Sequence, residues 1–155
     1  MNTTHDPLSV RDLAPITEDN SLAEAMANSV RLAQAAEGAG YKRLWMAEHH
    51  NMVDNSSAAT AVLLSHIGAK TEKIRIGSGG IMLPNHAPII VAEQFGALET
   101  LYPGRVDLGL GRAPGTDYET LQALRRESRP QGLDFPAMHD ELPSYLSDPP
   151  TGQRT

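Results

Sequence analysis

Four strand-like runs at a near-constant interval constrain this chain more than any other feature. They are Leu8-Ser9-Val10-Arg11-Asp12-Leu13, Arg43-Leu44-Trp45-Met46-Ala47, Ile74-Arg75-Ile76-Gly77 and Val106-Asp107-Leu108-Gly109-Leu110. They begin at residues 8, 43, 74 and 106, so 31 to 35 residues separate each start from the next. A strand, its following helix and the two turns occupy about 30 residues, so the interval is that of repeated parallel crossovers.

The intervening segments carry helical signals. Residues 21–37 place Leu22, Met26, Val30 and Ala33 on one helical face, and Gly38 and Gly40 punctuate its end. Residues 56–69 are Ala- and Leu-rich around most of the circumference, with Asn55 or Ser56 as N-cap, which predicts burial on more than one side. Pro88 suits a first helical position ahead of residues 89–101, and Tyr102-Pro103-Gly104 stops that helix. A fourth helix is predicted over residues 117–127. Four strand–helix alternations define an α/β fold with a parallel sheet.

Two architectures satisfy that order, a doubly wound open sheet and a (β/α)8 barrel. The doubly wound form wants a Gly-rich phosphate loop after the first strand, and here that strand runs into Ala14-Pro15-Ile16-Thr17. That weakens the doubly wound reading. Residues 1–127 form the α/β unit. Residues 128–155 form a Pro-rich tail with one short helix over 135–142, and 147–155 read as linker or disorder. No fifth strand is predicted.

Composition removes several function classes. With 13 basic and 19 acidic side chains the formal charge is −6, and no basic run exists, which argues against nucleic acid and anionic membrane as partners. No apolar stretch approaches the roughly 20 residues that span a bilayer. Cysteine is absent, so disulfides, thiolate nucleophiles and Cys-type zinc sites are excluded. The polar start, residues 1–7, lacks the apolar core of a secretory signal, so a cytoplasmic location is expected.

Parallel α/β folds bind ligands at the C-terminal ends of their strands. Three runs fall there: Ala47-Glu48-His49-His50-Asn51, the loop Ser78-Gly79-Gly80-Ile81-Met82-Leu83-Pro84-Asn85-His86, and Gly111-Arg112-Ala113-Pro114-Gly115. A metal hydrolase built on Glu48, His49, His50 and His86 is disfavoured, because adjacent strand histidines diverge and no HExxH spacing exists. No metal site is assigned.

The runs Trp45-Met46-Ala47-Glu48-His49-His50, Ile76-Gly77-Ser78-Gly79-Gly80-Ile81-Met82-Leu83-Pro84 and Tyr102-Pro103-Gly104-Arg105-Val106-Asp107-Leu108-Gly109-Leu110-Gly111-Arg112 resemble the bacterial-luciferase-like, flavin-dependent monooxygenases. The resemblance covers residues 7–126 in order and at family spacing. It implies a TIM-type (β/α)8 barrel, of which four βα units are the N-terminal half. It also implies reduced FMN as cofactor, supplied by a flavin reductase, and a small organic substrate oxidised with dioxygen.

Carried over residue by residue, the resemblance makes His49 the proton-handling group beside the flavin and Arg112 the cation that stabilises the anionic ring or a peroxide oxygen. Gly79-Gly80 corresponds to a non-proline cis peptide under the ring. Glu48 and Gly111 complete the cofactor set, Glu48 by orienting a histidine or pairing with a strand-end arginine. His50, pointing the other way, reads as structural, and His86 as a loop residue. Of Trp45 and Met46, whichever faces inward packs the core.

A half-barrel leaves its first and fourth strands as open edges. It also turns an inner face toward solvent, expected to carry apolar residues drawn from Val10, Leu44, Ile76 and Leu108. Both features predict a homodimer. The alternative to an enzyme is therefore a non-catalytic half-barrel that binds flavin or self-assembles.

Overall fold

The computed structural model describes residues 7–113, 115–124 and 135–147. Four parallel strands form one sheet in the order β1-β2-β3-β4: β1 is Ser9–Asp12, β2 Arg43–Met46, β3 Arg75–Met82 and β4 Val106–Gly111. Helices α1 (Leu22–Gly38), α2 (Thr60–Gly68) and α3 (Pro88–Leu101) connect successive strands, and α4 (Tyr118–Leu124) follows β4. Each strand lies beside its sequence neighbour with no reversal of direction along the sheet, which is barrel order and not doubly wound order.

Local chemistry sets the helix ends. Ser21 caps α1, its Oγ accepting the Glu24 N–H at 3.2 Å. At the other end Gly40, at φ 81°, closes a Schellman motif: Tyr41 N–H reaches Ala36 O and Gly40 N–H reaches Glu37 O. The buried stripe of α1 is Ala25, Ser29, Ala33 and Ala36, while Leu22 is exposed. Of the face predicted from Leu22, Met26, Val30 and Ala33, Ala33 is buried and Leu22 is not, so the buried face is displaced. Small residues let the helix approach the sheet, and Met26 and Val30 pack at the edge of the core.

Helix α2 starts at Thr60, four residues later than predicted, after a turn in which Thr60 Oγ1 donates to Ser57 O. It buries Leu63, Leu64 and Ile67, but Val62 is 69% exposed, so the expected burial on several sides does not occur among the described residues. Gly68 is required by packing, because a Cβ there would lie 2.7 Å from the Tyr102 ring.

Two further expectations need correction. Strand β3 does not end at Gly77. Ser78 to Met82 continue it, so this stretch is strand and not loop. The residues expected on an open inner face lie on the opposite side: Leu44, Met46 and Ile76 are fully buried in the core with Leu63, Leu64, Ile67, Val91 and Phe95 from the helices, and Val10 and Leu108 pack against it. The face away from the helices carries Arg43, Trp45, Arg75 and Asp107. Asp107 binds Arg43 at 2.5 Å and Arg75 at 2.6 Å, and the Arg43 guanidinium lies 5.0 Å from the Trp45 ring centre. Met46 is therefore the core residue of the Trp45–Met46 pair.

Beyond β4 the predicted fourth helix is described only as Tyr118–Leu124, and residues 125–127 lie outside the described residues. The short helix is longer than predicted. Helix α5, Phe135–Leu146, packs on α3 and on the 3-10 turn Leu83–Asn85, burying Leu142. The rest of the predicted tail, 128–134 and 148–155, lies outside the described residues.

Candidate functional site

The C-terminal rim is organised by an irregularity in β3. Ser78 pairs with Leu108 and Ile81 with Leu110, so β3 carries one residue more than β4 between those pairs. That extra residue is accommodated at Gly79-Gly80, whose peptide bond is cis. Glycine is demanded on both strands. A Cβ on Gly80 would lie 2.9 Å from Gly109 O, and one on Gly109 would strike the carbonyl oxygen of Ser78. Buried Ser78 fastens the two strands, its Oγ donating to Gly109 O at 2.9 Å and accepting Gly109 N–H at 3.1 Å.

The exit of β2 supplies the second part. Glu48 is 1% exposed. Its Oε1 receives His50 Nε2 at 2.5 Å and His86 Nε2 at 2.7 Å, and its Oε2 accepts the Met82 N–H at 3.0 Å. Burial pushes this carboxyl up, but the hydrogen bonds from His86 and His50, the His86 charge and the Met82 amide together hold it below the ordinary 4.5. An ionised carboxylate only accepts, so both imidazoles carry their proton on Nε2. Glu48 thus binds two histidines and not a strand-end arginine, and His86 is a partner of the rim and not an isolated loop residue.

The donor atoms of Glu48, His50 and His86 lie within 4.8 Å of one another, close enough for a shared divalent ion. In this arrangement, however, the histidine nitrogens are hydrogen-bonded to the carboxylate itself. A metal would have to displace both protons.

His49 lies between Glu48 and His50 in the sequence, half-buried and outside their cluster, and its Nδ1 is buried with no hydrogen-bond partner among the described residues. Gly111 and Gly115 enclose Met82: Cβ atoms there would lie 2.6 Å from its Sδ and 3.0 Å from its Cγ. The loop after β4 docks on the loop after β2 through Thr116 Oγ1 to His50 O and Asn51 Nδ2 to Thr120 Oγ1. Arg112 is exposed and makes no ion pair among the described residues. His49 follows β2, Gly111 ends β4 and Arg112 follows it, while Gly79 and Gly80 lie within β3, three and two residues before its end at Met82.

Two rim residues escaped the sequence reading. Ser78 gave no signal beyond standing before two glycines. Asp12, which ends β1, is buried, accepts Ala14 N–H at 2.8 Å through Oδ1 and has an unpartnered Oδ2. A carboxylate closing a parallel strand was the signal available for it.

Residues 8–134 match the luciferase-like monooxygenase family. The chain belongs to that family. An Escherichia coli K12 protein named luciferase-like monooxygenase is 56% identical over 138 residues, which are 89% of this chain and 41% of that protein. The crystal structure of apo-MsnO8 superposes with a TM-score of 0.87 at 40% identity, covering 97% of this chain and 45% of the other. The oxygenating constituent of 3,6-diketocamphane monooxygenase from Pseudomonas putida, solved with FMN, gives 0.72 at 18% identity over 88% of this chain and 37% of the other, a likeness of fold alone. The chain spans about two-fifths of the length of the curated relatives it matches. Its four βα units are accordingly the N-terminal half of a TIM-type barrel. Among the described residues no helix is long and apolar enough to cross a membrane.

Proposed function

We propose that this chain forms the cofactor-facing wall of a cytoplasmic monooxygenase that uses reduced FMN, delivered by a flavin reductase, to oxidise a small organic substrate with dioxygen. The observation that carries the reading is the buried, unpartnered Nδ1 of His49 at the same rim as the Gly79-Gly80 irregularity. His49 Nδ1, without a partner, and Arg112, without an ion pair, among the described residues leave bonding capacity that the polar edge of a flavin can meet. The structure of the Pseudomonas putida oxygenating constituent, of the same fold, contains FMN, which supports that cofactor class.

When bound, reduced flavin supplies the electrons that activate dioxygen. The chain's own residues do the rest. His49 holds or moves a proton at Nδ1, the ring nitrogen left without a partner among the described residues. Arg112 offers a fixed cation to negative charge on the ring edge or on oxygen. Gly79, Gly80 and Gly111 bring bare backbone to the ring, and Glu48 completes the set from below. The free edges of β1 and β4 pair with a second copy, so the protein is a homodimer.

A second reading rests on the edges that β1 and β4 leave to the sheet: a half-barrel that binds flavin or self-assembles without turnover. The two separate in one experiment. Trp45 is the only tryptophan, so its emission reports on this sheet alone. FMN should quench it to saturation at equimolar ratio, and His49→Ala should preserve binding while changing the rate at which air reoxidises bound reduced FMN. Binding with identical reoxidation rates supports the non-catalytic half-barrel. Absence of quenching and of binding refutes the flavin reading.

A further inference from the structure

We infer that Glu48 is a positioning residue that fixes the distal side of the Gly79-Gly80 irregularity, and so shapes the backbone a cofactor meets without touching it. The inference rests on the flavin reading above. A strand that carries one extra residue has broken ladder pairing and can slip unless it is fastened on both sides. Ser78 fastens the near side through its two bonds to Gly109. Glu48 fastens the far side: Oε2 takes the Met82 N–H, and Met82 follows Ile81, whose pairing with Leu110 restarts the ladder beyond the irregularity, and itself pairs with Gly111.

The carboxylate is itself held from two directions. His50 comes from the same loop, and His86 from the segment that leads into α3, 38 residues away. One buried side chain therefore ties the exit of β2, the end of β3 and the entry to α3. Three donors converge on it and none of its bonds asks it to donate, so the site is matched to an ionised carboxylate. A glutamine of the same size would have to turn an N–H2 toward either the histidines or the Met82 amide. Glu48→Gln is thus a change of chemistry at constant shape.

The test is amide hydrogen exchange by NMR on the full chain, combined with FMN titration read through Trp45. In Glu48→Gln the Met82 amide should lose protection by about tenfold or more, the loss expected when a charge-assisted hydrogen bond goes. The amides of Leu44 and Ile76 should be unchanged within about twofold, because their contacts are not altered. FMN affinity should fall by a similar factor of about ten. His86→Ala, at a side chain 24% exposed, removes one donor and should give a smaller loss in both readouts. Retained protection of Met82 in Glu48→Gln overturns the inference, as does lost protection with unchanged FMN affinity. If Glu48→Gln also strips Leu44 and Ile76 of protection, it has unfolded the sheet, and His86→Ala decides: no local loss at Met82 overturns the inference. If the unsubstituted chain does not bind FMN, the flavin reading fails, and Met82 exchange alone judges whether Glu48 holds the strand.

Discussion

Replacing Gly109 with alanine tests how tightly the rim is built. Gly109 sits on β4 opposite the Gly79-Gly80 irregularity, with its N–H and its carbonyl both bonded to Ser78 Oγ. A Cβ there points into the carbonyl oxygen of Ser78, a backbone atom in the middle of a parallel sheet, so no side chain can swing aside to relieve the clash. Overpacking of this kind costs about 1–3 kcal/mol. Separating the strands to relieve it breaks the two Ser78 bonds, each worth about 1 kcal/mol net. A combined loss of about 3–5 kcal/mol lowers the melting temperature by about 6–20 °C, taking about 2–4 °C per kcal/mol for a chain of this size. Gly96 is the control. It lies inside α3 with nothing within 4 Å of a built Cβ, so Gly96→Ala should gain about 0.5–1 kcal/mol from helix propensity. Thermal unfolding followed by circular dichroism compares the two at equal concentration. A Gly109→Ala melting temperature within about 2 °C of the parent would refute the reasoning, because it would mean that β3 and β4 do not approach as closely as described.

Other outcomes follow from the same contacts. Glu48 has its folded pKa held below 4.5, so its contribution to stability is complete above that value and is lost as pH falls through the lower folded value. Urea unfolding from pH 6 down to 3 should show that loss, and Glu48→Gln should flatten it; parallel profiles would contradict the assignment. Asp107→Asn strips the carboxylate from Arg43 and Arg75, whose side chains are about a quarter exposed, and should cost about 1–2 kcal/mol by urea denaturation. No change would mean that water already serves those guanidiniums. Leu64→Ala, at a fully buried position between sheet and helices, should cost about 2–5 kcal/mol, and a loss under about 1 would place the core elsewhere. Equimolar zinc at neutral pH should leave the His50 and His86 ring signals in NMR unshifted. A stoichiometric shift would show that metal displaces the two Nε2 protons.

The strand period was legible because each βα unit must close within a narrow length, and the runs at 43, 74 and 106 fall where β2, β3 and β4 are found. The length of β3 was not. Ser78-Gly79-Gly80 reads as a turn by propensity, since glycine weakens strands. Here glycine is present because β4 passes too close for any side chain, a reason that exists only once the partner strand is in place. Alternation in Arg43-Leu44-Trp45-Met46 likewise showed which residues share a face, but not which face the helices would cover. The apolar residues Leu44 and Ile76 went to the helix layer, where large apolar surface meets more of its kind. The other face was left to an Arg43–Asp107–Arg75 pairing that no local pattern announces, because its members stand on three strands.

The same distinction governs the rim. That Glu48 and His50 diverge from His49 could be argued from alternation alone, and the contacts agree. That His86 joins them could not, since 38 residues separate it from Glu48 and a lone histidine after a proline turn looks like surface. The missing quantity was burial. A carboxylate at 1% exposure stays ionised only if donors surround it, so burial alone would have required a set of N–H groups converging on Glu48. The loops that leave β2 and β3 contain two imidazoles and a backbone amide able to meet that demand, and these are the groups found there. His49 shows the converse. Its buried Nδ1 has no partner within the described residues, and an unmet donor or acceptor at the mouth of a parallel sheet is what a site retains for a ligand. Satisfied groups at Glu48 and an unsatisfied one at His49, adjacent in sequence, thus divide the rim into a part bonded to the backbone and a part whose bonding capacity is unmet, which is where the proposed proton chemistry is placed.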